Sequence, residues 1–248
     1  MIQFFRYAAA GALIALATVN STSAQTPSRA ASPSVLELYT SQGCSSCPAA
    51  DALFKSYAAR SDIIALSMPV DYWDYLGWKD TLANPKFTKR QRAYAKARAD
   101  GQVYTPQVII DGREHVVGSS KGDIDSAIMT HLAKPRAVLM RAAIEKGTVT
   151  IDIAQAADIS AEATVWLAVV RAEAHIDVKA GENRGRKLTY YNVVSDIVPA
   201  GMWSGPAVTI RQPASALTTG ANQRLAVIVQ QGPGGPIIAA AWADPVAN

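Results

Sequence analysis

The chain has 248 residues, enough for one large domain or two modest ones, and its 49% apolar content allows a real core. The formal charge is +4 with no dense Lys/Arg block, which excludes a nucleic-acid footprint, because such binding needs clustered cations. There are two cysteines, and both fall in one short stretch near the front of the chain.

Residues 1–24 read as an export signal. Arg6 supplies a short positive region, residues 8–19 a short apolar run, and Thr22-Ser-Ala24 a small-residue cleavage site. The run is shorter than the ~20 residues a bilayer span requires. Nothing later is long and apolar enough to cross. The expected location is periplasmic or secreted, with no stable membrane insertion after signal removal. Residues 25–34, rich in Ser, Pro and Ala, read as a flexible mature N-terminus.

Residues 35–39 form an apolar strand candidate. Residues 44–59 read as a helix, with Cys47, Ala50, Phe54 and Tyr57 on one face and Pro48 in the first turn, where a missing N–H costs little. Residues 63–68 are a second buried strand. An insertion at about 69–85 follows, dense in aromatics and acids. Asn84-Pro85 opens a basic helix to about residue 100, with Asn as cap and Pro at the first helical position, and Gly101 ends it. Residues 106–112 are a strand and a tight turn, residues 115–118 its hairpin partner, and residues 123–132 a closing helix. The pattern predicts a compact α/β domain over 35–134, a mixed sheet flanked by helices.

Lys134-Pro135 marks a boundary, and the pattern then becomes all-β. Strands are predicted at 138–144, 149–153, 163–172, 188–198, 207–211, 225–230 and 237–242. Turn signals separate them, among them Lys146-Gly147, Gly181, Gly201, Gly220 and Gly232-Pro-Gly-Gly-Pro236. This spacing predicts a β-sandwich-like domain over 136–248.

The chemistry centres on Cys44-Ser-Ser-Cys47. A thiol reacts as its thiolate, and a helix N-terminus favours negative charge. Cys44 is therefore the expected nucleophile. Cys47, one turn deeper, can resolve a mixed disulfide formed at Cys44. Export places both thiols where disulfides persist. Thr105-Pro106 is the second piece: a cis bond there would leave the Thr105 backbone beside the sulfurs, able to pair with an extended substrate. Glu37 and Asp51 are candidate proton acceptors for Cys47. Asp71, Trp73, Asp74 and Trp78 are candidates for a substrate groove. Arg90, Arg92, Lys96 and Arg98 read as the solvated face of a helix, and residues 182–187 as a charged turn.

The stretches around Tyr39-x4-Cys44-x-x-Cys47 and Thr105-Pro106-Gln-Val-Ile-Ile-Asp-Gly112 are similar to the thioredoxin fold. Residues 37–48, 70–80, 91–94, 103–107, 181–186 and 191–194 together resemble a secreted thioredoxin-like family of unknown function, domain-of-unknown-function family 1223. The resemblance implies a thioredoxin-like domain fused to a β-rich domain. It supplies no substrate. Tyr39 and Tyr104 join Trp73, Asp74 and Trp78 as candidates for substrate binding.

Three functions compete. A thiol–disulfide oxidoreductase would need no cofactor beyond the Cys44–Cys47 couple and would act on an exported thiol-containing protein, a redox partner or a small thiol. An inactive thioredoxin-like binding module would use the same surface without chemistry. A copper(I) protein would use the two sulfurs as soft ligands. A zinc site would stand two ligands short, and His115, His131 and His175 show no ligand spacing. A purely structural disulfide is a weak rival: a four-residue loop is stabilised by about 2 kcal/mol against about 3 for fifteen residues.

Overall fold

In the computed structural model, Met1 and residues 32–133, 138–157, 159, 161–217 and 223–245 are described. The signal segment, most of the flexible N-terminus, the Lys134-Pro135 boundary and the Gly220 turn lie outside the described residues. Contacts separate Met1–Ala30 from Ala31–Asn248, and every element below belongs to the second unit.

The first half runs β1 (Ser34–Thr40), α1 (Cys47–Ala58), β2 (Ile63–Pro69), α2 (Pro85–Arg98), β3 (Gln107–Ile110), β4 (Glu114–Val117) and α3 (Lys121–Leu132). The second half runs β5 (Met140–Glu145), β6 (Thr148–Ile153), β7 (Ala163–Asp177), β8 (Lys187–Trp203), β9 (Val208–Pro213), β10 (Gln223–Gln231) and β11 (Ile237–Pro245). Each strand and helix lies where the sequence pattern puts one, with ends shifted. The largest shifts are in β7 and β8, which continue several residues past their predicted ends. Helix α1 starts at Cys47, so Cys44 lies in the loop before it. Helix α2 ends at Ala99, which takes the left-handed conformation (φ 59°) ahead of Gly101. Asn84 caps its start, its side chain accepting from the Lys86 N–H. Asp111 (φ 50°) and Gly112 (φ 66°) make the β3–β4 turn with two positive φ angles, which suits the twist of a tight hairpin.

The expected fold class is overturned. The eleven strands join in one mixed sheet, in the order β4-β3-β1-β2-β8-β7-β10-β11-β5-β6-β9. Among the described residues there are three α-helices against those eleven strands. This is not a helix-flanked thioredoxin-like domain followed by a separate β-sandwich. Strand β2 is the seam: it pairs with β1 in parallel on one side and meets β8 on the other, with Ser67 opposite Val193. The Ser67 hydroxyl donates to the Tyr191 carbonyl there (2.8 Å).

Side-chain alternation along β1 explains the merger. Leu36 and Leu38 point one way and meet Ala50 and Phe54 of α1 and Ile124 and Ile128 of α3. Val35 and Tyr39 point the other way and share a core with Phe87 and Tyr94 of α2. That same core takes in Ala168, Val170, Val194, Ala226 and Ile228 from the second half. One face of β1 thus shares its core largely with strands of the second half, and separating the halves would expose it. A second core, with Val165, Leu167, Val227 and Trp203, belongs to the second half alone.

Candidate active site

The loop between β1 and α1 carries the cysteines. Cys44 and Cys47 are joined in a disulfide, with Cα atoms 5.4 Å apart. The loop is held tightly: the Cys44 N–H donates to the Ser41 carbonyl (3.2 Å) and the Cys47 N–H to the Cys44 carbonyl (3.2 Å). Gly43 permits close approach, since a Cβ there would stand 3.1 Å from the Trp73 Cβ. Cys47 is fully buried and Cys44 is 2% exposed, while Ser45 and Ser46 face solvent. Of the two sulfurs, Cys44 Sγ has the polar neighbours at the surface side. It lies 3.3 Å from the Ser46 hydroxyl and 3.8 Å from the Thr105 carbonyl.

Thr105-Pro106 has a cis peptide bond. Its loop is fastened from two directions. Trp73 donates its indole N–H to the Thr105 hydroxyl (2.7 Å). The buried Gln91 amide of α2 donates to the Tyr104 carbonyl and the Gln107 side chain, both at 2.8 Å. A cleft of about 440 Å³ opens elsewhere, lined by Asp71 and Tyr72 of the 69–85 segment and by Pro85, Thr88, Lys89 and Arg92 of α2.

The other candidates separate by position. Asp51 lies on the same helix as Cys47 and is 3% exposed. It accepts from the Thr40 hydroxyl (2.7 Å), and its second oxygen has no partner. Burial holds its pKa well above the usual carboxylate range; the Thr40 bond works against this and the Asp80 charge adds to it. Glu37 is not brought to the cysteines. As an odd-numbered residue of β1 it projects to the face opposite α1, where Arg90 Nε donates to it at 2.7 Å. Tyr39, on that same face, is fully buried in the core and offers a substrate no surface. Tyr104 turns its hydroxyl to His115 Nδ1 (2.9 Å), toward β4. Arg90 is also corrected: its side chain is 9% exposed rather than solvated, because it serves Glu37, Gln230 and Tyr94 together.

The 69–85 segment braces the loop rather than simply lining a groove. Trp78 donates to the Gln42 side-chain oxygen (2.8 Å), and the Gln42 N–H donates to Asp80 (2.8 Å). Asp74 in turn accepts from the Asp80 N–H (3.0 Å). Burial pushes the Asp80 carboxyl up to about 6, against the pull of the Gln42 and Leu82 N–H groups, with the Asp74 charge adding to the rise. Tyr190 of β8, fully buried, is raised by burial and then by the charges of Asp51 and Asp80.

Sequence reasoning missed the loop between β7 and β8. Asn183 there is buried, and its amide donates to both the Gln42 and Cys44 carbonyls at 2.9 Å. Its neighbour Glu182 accepts from the Ser45 N–H (3.3 Å). The signal was limited to the family-like run at residues 181–186.

The family described as "Protein of unknown function (DUF1223)" matches residues 35–230. The chain belongs to this family. No curated protein matches it. It is similar to the crystal structure of protein AGR_C_4864 from Agrobacterium tumefaciens, at 34% identity, 86% coverage of this chain, 94% of that one and a TM-score of 0.75. It also shares fold with HBP35 of Porphyromonas gingivalis, at 14% identity, 88% and 78% coverage and a TM-score of 0.60. The DUF1223 match takes in both the Cys44–Cys47 loop and the Asn183 loop, so both parts of the site lie within the family's span. Among the described residues no group of three or more His, Cys, Asp or Glu gathers as a metal site, and no helix is long and apolar enough to cross a membrane.

Proposed function

We propose that this DUF1223 protein is an exported thiol–disulfide oxidoreductase acting through Cys44 and Cys47. One observation carries the reading. The two sulfurs are bonded at the head of a helix, and Cys44 Sγ lies 3.3 Å from the hydroxyl of the exposed Ser46, while Cys47 is fully buried. A substrate sulfur therefore meets Cys44 first. The short loop argues against a mere staple, and the signal-like residues 1–24 support a compartment in which disulfides persist.

Starting from the disulfide, a substrate thiolate attacks Cys44 Sγ. The Cys44–Cys47 bond breaks, and its electron pair stays on the Cys47 sulfur. A second substrate thiol, as thiolate, then attacks the substrate sulfur of the mixed disulfide, and Cys44 leaves as thiolate. The substrate loses two electrons and two protons, and the two cysteines take them up as two thiols. The reverse sequence reduces a substrate disulfide. The Ser46 hydroxyl, 3.3 Å from Cys44 Sγ, can donate to the thiolate that leaves. Asp51, one helical turn after Cys47 with its carboxyl held protonated to higher pH by burial, would exchange a proton with the Cys47 sulfur. The exposed Ser45 and Ser46, with the half-buried Thr105, are the way in for an exported thiol-containing protein.

Thiol trapping tests the proposal. A Cys47→Ala variant should accumulate mixed disulfides through Cys44 with exported proteins. A Cys44 that stays unreactive to alkylating reagents after reduction would sink the enzyme reading and leave a binding module.

A further inference from the structure

The β7–β8 loop lies 139 residues downstream of the Cys44 loop, yet it touches the backbone of the motif at three points. Asn183 is 1% exposed and uses its one amide nitrogen on two carbonyls, those of Gln42 and Cys44. Gly181 (φ 73°) packs the loop against Trp78, where a Cβ would stand 3.1 Å from the Trp78 Cβ. The loop is thus built against the site and fixes where the exposed Glu182 sits. Glu182 places its carboxylate on the Ser45 N–H, between the two cysteines in sequence.

That position matters for charge. Helix α1 has no side-chain cap: Ser46 at the cap position makes no such bond, and Pro48 lacks an N–H. Backbone N–H groups at such a helix head are the ones that favour a nearby anion. A Cys44 thiolate would draw on them, while Glu182 accepts from the Ser45 N–H just ahead of the helix and brings a like charge beside them.

We propose that Glu182 is a positioning and charge-setting residue of the redox pair: the Asn183 anchor delivers its carboxylate to the head of α1, where it opposes the Cys44 thiolate and favours the protonated thiol. The inference rests on the exchange reading above and names what restrains that site. The other charged groups facing the motif are accounted for. Asp51 lies behind Cys47 on α1, and Asp80 holds the Gln42 N–H with Asp74 behind it. Arg184 and Arg186 are exposed on the same loop, while Thr105 and Trp73 bring no charge.

The test is a charge ladder at one exposed position. Wild type, Glu182→Gln and Glu182→Lys are reduced, and the ionisation of Cys44 is followed by thiolate absorbance and by the pH dependence of iodoacetamide alkylation. The pH of half-ionisation should fall in the order Glu, Gln, Lys. The Cys44 ionisation constant should rise roughly two- to fivefold at the first step, the range for a charge at a helix terminus. The rise should shrink at high salt. Asn183→Ala, which removes both donors without adding a charge, should release Glu182 and move ionisation the same way as Glu182→Gln; if that variant does not fold, the ladder at 182 stands alone. An unordered ladder, or no shift at Gln and Lys while Cys44 remains reactive, overturns this inference and leaves the exchange reading intact. A Cys44 unreactive in all three proteins overturns the exchange reading itself.

Discussion

Asp80 shows how burial tunes a single residue beneath the motif. Its carboxyl is 3% exposed and titrates near 6, above the ordinary carboxylate value, because burial penalises the charged form. A carboxyl whose folded value is raised binds its proton more tightly in the folded chain. Its contribution to stability is therefore fully present below about pH 4 and is lost as pH rises through about 6. The difference in unfolding free energy between wild type and Asp80→Asn should fall by roughly 3 kcal/mol between those limits. Urea denaturation across that range checks this, and a flat difference would contradict it. Not all the residue roles were equally legible. Cys44, Cys47 and Asp51 could be picked out as near neighbours because local spacing sets them together, Cys44 in the loop ahead of α1 and the other two one turn apart on it. Glu37 could not be separated from Asp51 until strand alternation placed it on the far face of β1. Asn183 was invisible, since no local pattern reports a bond to a carbonyl 139 residues away.

At the scale of elements, α2 departs furthest from expectation. Its Arg/Lys-rich composition reads as a solvated face, yet Arg90 turns inward and joins three strands' worth of structure to the helix. Its guanidinium donates to Glu37 of β1 at 2.7 Å and Gln230 of β10 at 2.9 Å, and stands 5.5 Å from the Trp166 ring of β7. One charge among many on a helix carries no mark of its burial, which depends on what packs above it. The turn before β11 is pressed on the same helix: a Cβ on Gly234 would stand 2.4 Å from the Ala93 carbonyl oxygen. Removing Arg90 leaves the Glu37 carboxylate, fully buried, without its cation. Arg90→Ala should cost about 3–5 kcal/mol, the range for breaking a buried ion pair. Chemical denaturation reads this directly, and a loss under 1 kcal/mol, the range for exposed pairs, would show that the pair behaves as a surface one.

For the whole molecule, the strands were legible and their partners were not. Apolar runs bounded by turn signals mark β1, β2, β7, β8 and β10, but both faces of β1 and β2 are buried, and apolarity does not say whether helix or strand will cover them. The second half supplied that cover, and β2 met β8 instead of ending a sheet. One consequence is the site itself: the β7–β8 loop of the second half closes over the cysteine loop of the first, so the merged sheet and the Cys44–Cys47 disulfide are parts of one arrangement. The account stands on that disulfide being a working couple. Its reduction potential, measured in the intact protein against glutathione with alkylation of Cys44 and Cys47 scored by mass spectrometry, tests this most directly. The account predicts a potential above about −300 mV, within reach of thiol–disulfide exchange, with Cys44 alkylated before Cys47. A potential below about −300 mV, with the pair resisting glutathione, would mark a structural disulfide and contradict it.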